Sequence, residues 1–182
     1  MAAEPTPPSS TTSLPDIDDA ADEAATLQQF LRYQRVVFVR KVEGLTTEQA
    51  NQALAPSDLT LAKLARHLSF VEDFWASVVF AGEEPQPPWS TAPWEDDPDW
   101  EMTSAADHEI EVLVSDLVTA WSRADAIYDG AESLGQLSVN PSGQEPAHRS
   151  LRWILVHLIE EYARHLGHAD YLRQAVDGTT GD

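Results

Sequence analysis

The chain lacks cysteine, is poor in basic residues and has no long apolar run. Its 182 residues include no cysteine at all, which excludes a disulfide-stapled secreted scaffold, a thiolate zinc site and an enzyme with a cysteine nucleophile. Any thiol chemistry has to use a thiol supplied from outside. Lys and Arg number 11 against 31 Asp and Glu, a formal net charge of -20, so the surface repels a phosphate backbone and nucleic acid is not expected as a partner. The acid is read as a solvated surface. No run of about 18 apolar residues occurs, and the N-terminus lacks the basic-then-apolar layout of a signal peptide. The expectation is a cytoplasmic protein with no membrane partner.

What is present is a helical pattern. Residues 1–22 are rich in Pro, Ser, Thr and acid and have little to bury, so they are expected to form a disordered leader, with the fold spanning residues 23–182. The first helix is expected over about 23–42, with Leu27, Phe30, Leu31, Val37 and Phe38 at helical spacing and Gly44 as its stop. A second, over about 58–81, lines up Leu61, Leu64, Leu68, Val71, Phe74, Trp75 and Val78. The third is expected over about 104–128, opening with Ser104 in a sequence that resembles a capping box, and the fourth over about 150–176, ending at Asp177-Gly178. No segment alternates as a strand does. The fold class is therefore all-α, and the economical architecture is a four-helix bundle.

Between the second and third helices lies GEEPQPPWSTAPWEDDPDWEM, too long and proline-rich for a tight turn. Fully extended, it spans far more than the roughly 30 Å of a 20-residue helix, so it can cross the bundle from end to end. Its three tryptophans, Trp89, Trp94 and Trp100, read better as anchors pinning the crossover than as a lid over a pocket.

The chemistry concentrates in HLIEEYARHLGHAD, residues 157–170. At about 100° per residue, His157, Glu161, Arg164, His165 and His168 fall within an arc of roughly 100° beside the apolar face of Ile154, Leu158, Tyr162, Ala169 and Leu172. Polar groups flanking a core need a reason. Glu161 and His165 are four apart, so their side chains can take adjacent positions on one metal ion; His157 and Glu161 share that spacing, and the stripe alone does not choose between the pairs. A third ligand must come from another helix. His67 lies on the apolar rhythm 60, 64, 67, 71, 74, 78 of the second helix and is the candidate. Two histidines and a carboxylate suit zinc, nickel or iron and leave positions open. His168 and His157 stand close enough to orient a ligand or move a proton. Arg164 either holds a substrate carboxylate or pairs with Glu160 or Glu161, and the ion pair is favoured.

The segments RYQRVVFVRKVEGL, HLSFVEDFWASVVFAG, DDPDW and LRWILVHLIEEYARHLGHADYLRQAVDGTTG resemble the DinB/YfiT-like superfamily of four-helix-bundle metalloproteins, most closely its uncharacterised branch that includes mycothiol S-transferases. The resemblance runs from about residue 26 to the end. It implies an up-down-down-up bundle with a long crossover between helices two and three, and a metal held by His67, Glu161 and His165. The position matching Glu161 is histidine in the bacillithiol-transferase branch and glutamate in the mycothiol-dependent maleylpyruvate isomerase branch. The implied activity is a metal-dependent S-transferase joining a low-molecular-weight thiol such as mycothiol to small electrophiles in detoxification. The alternatives are a mycothiol-dependent isomerase on the same site and a non-catalytic metal-binding or interaction bundle. A homodimer is compatible with the apolar bundle faces.

Overall fold

The computed structural model describes residues 12–143 and 146–181, and among these there is no strand, only two isolated bridges, Leu137 with Ser150 and Ser142 with Ala147. Four long helical stretches account for the expected pattern. They are α1 (Glu23–Val42), α3 (Leu61–Asp73) with its continuation Phe74–Phe80, α5 (Ile110–Asp129) and α6 (Leu151–Asp177); two single-turn helices, α2 (Thr47–Ala50) and α4 (Trp100–Thr103), lie in the connections. The all-α expectation holds. α1 packs along α6, α3 packs along α5, and α3 also meets α6.

Local chemistry sets most of the boundaries. Asp22 accepts from the Ala25 N–H at the start of α1, Thr60 from Lys63 N–H at the start of α3, and Ser150 from Trp153 N–H at the start of α6. Each satisfies an amide that helix geometry leaves unpaired, a contribution of about 1 kcal/mol. The left-handed glycines Gly44 (φ 76°) and Gly178 (φ 79°) follow the ends of α1 and α6 as expected.

The third long helix departs from expectation at its start. Ser104–Asp107 is a 3-10 turn, His108 is extended, and α5 begins only at Ile110. Ser104 is no cap. Instead the Thr47 hydroxyl, from α2, accepts from the Ile110 N–H at 3.1 Å. A cap donated from 63 residues away leaves no local sequence signature.

The end of α3 changes pitch. Phe74–Phe80 is a π-helix, with the Ala81 N–H reaching back to Ala76 O at 2.9 Å. The connection that follows α5 seals this end: Val139 and Asn140 N–H donate to Phe80 O and Val79 O at 3.0 Å, and the Asn140 side chain donates to Val78 O at 2.9 Å. Gly82 permits that approach, because a Cβ there would lie 2.4 Å from the Val139 side chain.

Of the leader expected over residues 1–22, residues 1–11 lie outside the described residues. Residues 12–22 run against the bundle: Leu14 packs on the core and the Asp18 N–H donates to Gln29 Oε1 at 2.8 Å.

The core is apolar, with Phe38, Leu64, Leu68, Leu113, Leu117, Ile154 and Leu158 fully buried, but its centre is charged. Arg35 of α1 is 2 % exposed and Glu72 of α3 is 0 % exposed. The guanidinium donates twice to the Glu72 carboxylate, both at 2.7 Å, and once to Asp125 of α5 at 2.6 Å. Trp121 Nε1 of α5 donates at 2.7 Å to the Tyr162 hydroxyl of α6, which is also hydrogen-bonded to Glu72. Burial lowers the Arg35 pKa, but the Glu72 charge and hydrogen bonds outweigh it and the guanidinium is held more firmly protonated than usual. Burial and the Glu72 charge push the Tyr162 hydroxyl well above its ordinary range. One network thus touches all four long helices.

Removing one partner strands the other charge in the core, at a cost of about 3–5 kcal/mol. Glu72→Gln is therefore expected to lower the unfolding free energy by that order in urea titrations. The double variant Arg35→Met/Glu72→Met should recover part of the loss, because it leaves no unpaired charge of this couple.

Candidate metal centre

α3 and α6 cross where their polar positions face one another. His67 arrives on α3 and His165 on α6, with ring centroids 4.9 Å apart and planes at 70°. Glu161, one turn before His165, places Oε2 3.4 Å from His165 Nε2. One ligand atom from each of His67, Glu161 and His165 lies within 4.8 Å of the others, a separation that a single ion can span with small side-chain adjustments. The three residues that the sequence singled out meet at one point.

The other sequence candidates lie around this trio. His157 Nε2 is 3.5 Å from Glu161 Oε1, so the two oxygens of Glu161 face different histidines. The His157 ring is fixed by Trp153, stacked at 5.0 Å, and by Trp75, edge-on at 4.8 Å. His168 is exposed, its ring 5.6 Å from that of His165. Arg164 pairs with Glu160 on the exposed side of α6 and stays outside the trio. His157, Glu160 and Glu161 form a second cluster with metal-ligand spacing, drawn from α6 alone and more open to solvent.

The donor set suits a divalent ion. His165 is 9 % exposed and its Nδ1 is buried with no hydrogen-bond partner. Buried polar atoms are rarely left unmet, and an ion or a bound water is a usual partner. Burial lowers the His165 pKa to about 4, and the neighbouring His67, His168 and Arg164 push the same way. The imidazole is therefore neutral over the physiological range, the form in which it ligates a metal.

A fourth side chain comes from the crossover. Glu101, on α4, sets Oε1 3.4 Å from His67 Nδ1, is 9 % exposed, and has its Oε2 buried without a partner. A carboxylate behind a ligating histidine fixes the ring and its tautomer. Sequence reasoning passed Glu101 by, since Glu95, Asp96, Asp97 and Asp99 precede it and the whole run reads as solvated acid. The tryptophans hold α4 in place. Trp89 Nε1 donates to Asp73 Oδ2 at 2.9 Å, Trp94 Nε1 donates to Trp89 O at 3.0 Å, and the rings of Trp89 and Trp100 take the Arg66 guanidinium at 4.7 and 5.3 Å. Trp89 and Trp100 thus pin the crossover to α3, as expected.

A bundle of four long helices with two histidines and a carboxylate converging from two of them defines a helical-bundle protein with a candidate inter-helix metal centre. The chain belongs to the mycothiol S-transferase family of DinB-like proteins, whose sequence profile matches residues 26–178. It is similar in fold to a solved structure described as the conserved protein of locus from Enterococcus faecalis, with a TM-score of 0.67 and 18 % identity, covering 88 % of this chain and 100 % of that one. No curated protein sequence matches it.

Two outcomes follow from this geometry. Glu101→Gln is expected to weaken zinc binding by about 10–100-fold, measured by competition with a chromophoric chelator, without loss of helical content. Because the folded-state pKa of His165, about 4, lies below the ordinary 6.5, the unfolded chain takes up this proton first as the pH falls. Chelator-treated protein should therefore lose stability between about pH 6.5 and 4, and His165→Gln should lose less over the same interval in urea titrations.

Proposed function

We propose that the protein is a metal-dependent S-transferase that joins a low-molecular-weight thiol, mycothiol, to small electrophiles. The observation that carries this reading is the convergence of His67, Glu161 and His165 in a cysteine-free chain of the mycothiol S-transferase family. His67, Glu161 and His165 would hold the ion, in an up-down-down-up bundle. A bound zinc, nickel or iron would favour the thiolate of the incoming thiol at neutral pH. The family name supports a small-molecule thiol as the co-substrate.

The residues of the chain have separable tasks in this scheme. Glu101 orients the His67 ring from the crossover side. His157, clasped by Trp75 and Trp153, holds Glu161 Oε1 and leaves Oε2 turned toward His165. His168 is exposed beside His165 and is placed to carry the thiol proton to solvent. The thiolate sulfur then forms a bond to the electrophilic carbon while the leaving group departs with its electron pair. Arg164, committed to Glu160, contributes charge at the edge of the site and is available to a substrate carboxylate only by releasing that pair.

A second reading rests on Glu161, which matches the carboxylate of the isomerase branch: the thiol would add reversibly and be returned. Thiol accounting separates the two. The first measurement is the metal content of untagged protein purified without chelator. About one equivalent of zinc, nickel or iron is expected in the native chain and little in His165→Ala. With mycothiol and an alkylating electrophile, the native protein should consume one thiol per product, and His165→Ala should lose at least about 100-fold in kcat/KM. Undiminished conjugation by metal-stripped protein would sink the proposal.

A further inference from the structure

Beneath the crossover, on the side of α3 that faces α5, lies a cavity of about 180 Å³. Its walls are Phe70, Phe74 and Val78 from α3 and Trp89 and Trp94 from the crossover. Phe70 meets Trp89 and Trp94 at ring-centroid distances of 5.2 Å and Phe74 at 5.8 Å. Pro85 and Gln86, both exposed, stand at its mouth. The Asp73–Arg123 ion pair, at 2.5 Å, closes one edge.

Three observations distinguish this space from a packing fault. Its walls are mainly aromatic and apolar beneath a partly open mouth, the kind of lining that small-molecule sites favour. Its walls are tied by hydrogen bonds, because Asp73 takes the Trp89 indole and the Trp89 carbonyl takes the Trp94 indole. The α3 wall also includes the only π-helical turns among the described residues, Phe74–Phe80, which carry Phe74 and Val78 to the cavity. Such turns break ideal hydrogen-bond spacing and are frequent at binding sites.

The size and lining set the ligand class. An engineered cavity of about 150 Å³ lined by aliphatic and aromatic groups stays dry and binds benzene. Asp73 and Arg123 at the edge are paired with each other, and the buried Ser77 hydroxyl is the one lining atom left without a partner, so the space suits an apolar ring with at most one hydrogen-bonding substituent rather than a charged or sugar-like group. Phe70 is one turn beyond His67 on α3, about 4.5 Å along the axis. Through Phe70 the cavity wall adjoins the turn of α3 that carries His67, while His67, Glu161 and His165 themselves do not line it. We propose that it is the binding site for a single apolar ring, and that this ring belongs to the electrophile; the second clause rests on the thiol-transfer reading.

The binding clause is tested on metal-free protein with toluene, following the six tryptophan indole N–H signals by NMR. Saturable shifts of the Trp89 and Trp94 signals, with Trp153 unmoved, are expected. Val78→Phe, which fills the cavity, and Gln86→Trp, which narrows an exposed mouth without touching the core, should each weaken binding at least about tenfold. The electrophile clause is tested on metal-loaded protein with mycothiol and benzyl chloride, in which the C–S bond forms, chloride leaves with the electron pair and the thiol proton passes to solvent. Gln86→Trp should raise KM for benzyl chloride at least about fivefold and leave that for iodoacetamide unchanged. Absence of saturable toluene shifts, or equal shifts in both variants, overturns the site. Equal KM changes for the two electrophiles overturn its assignment to the electrophile. Toluene binding in a protein that conjugates neither compound supports the cavity and sinks the transferase reading.

Discussion

The buried pairing of Arg35 with Glu72 is the constraint on which the rest of the molecule is arranged. Two charges withdrawn from water are tolerable only when each finds its partner in good geometry and the remaining lone pairs and donors are met. Here that condition recruits Asp125, Trp121 and Tyr162, so satisfying one ion pair fixes the rotation of four helices about their axes. Aliphatic contacts alone would let helices turn or slide at small cost. A bidentate salt link with a second acid and a phenol has one register.

That register reaches the candidate metal centre through the chain itself. Glu72 and His67 are on the same helix, and Tyr162 follows Glu161 directly in α6. Once the network sets the facing of α3 and α6, His67 and the Glu161–His165 pair have little freedom left, which is the preorganisation that a metal site needs. The acids and arginines at the other end do a related task. Arg173, buried at the end of α6, donates to Lys41 O and Glu43 O at 3.0 and 2.9 Å, giving the last carbonyls of α1 partners that no local cap supplies.

Helical periodicity made the four long helices legible, and the i, i+4 polar stripe of α6 with His67 on an apolar rhythm made the candidate trio legible. What stayed hidden was supplied by distant partners. Arg35 follows Leu31 by four, and Glu72 follows Leu68 by four, so both occupy core positions. Only their meeting across 37 residues explains why a charge belongs there. Glu101 was masked by its acidic neighbours. The start of α5 was misplaced at Ser104 because its cap, Thr47, belongs to another element. The family profile secures the family and the structural neighbour the fold.

The π-helical end of α3 has a consequence for how the gene can change. Each π turn holds about one residue more than an α turn, so Phe74–Phe80 contains a residue that an uninterrupted α-helix would not need. Deleting it would restore regular winding and, because the π turns absorb the extra residue, leave the chain beyond facing nearly as before. What would change is the spacing of the carbonyls of Val78, Val79 and Phe80, which accept from Val139 and Asn140 beside the close approach at Gly82. The length of this segment is thus as constrained as its composition. Insertions and deletions among relatives should spare it and collect instead at exposed loop positions such as Gly143, where an added residue disturbs no helix register.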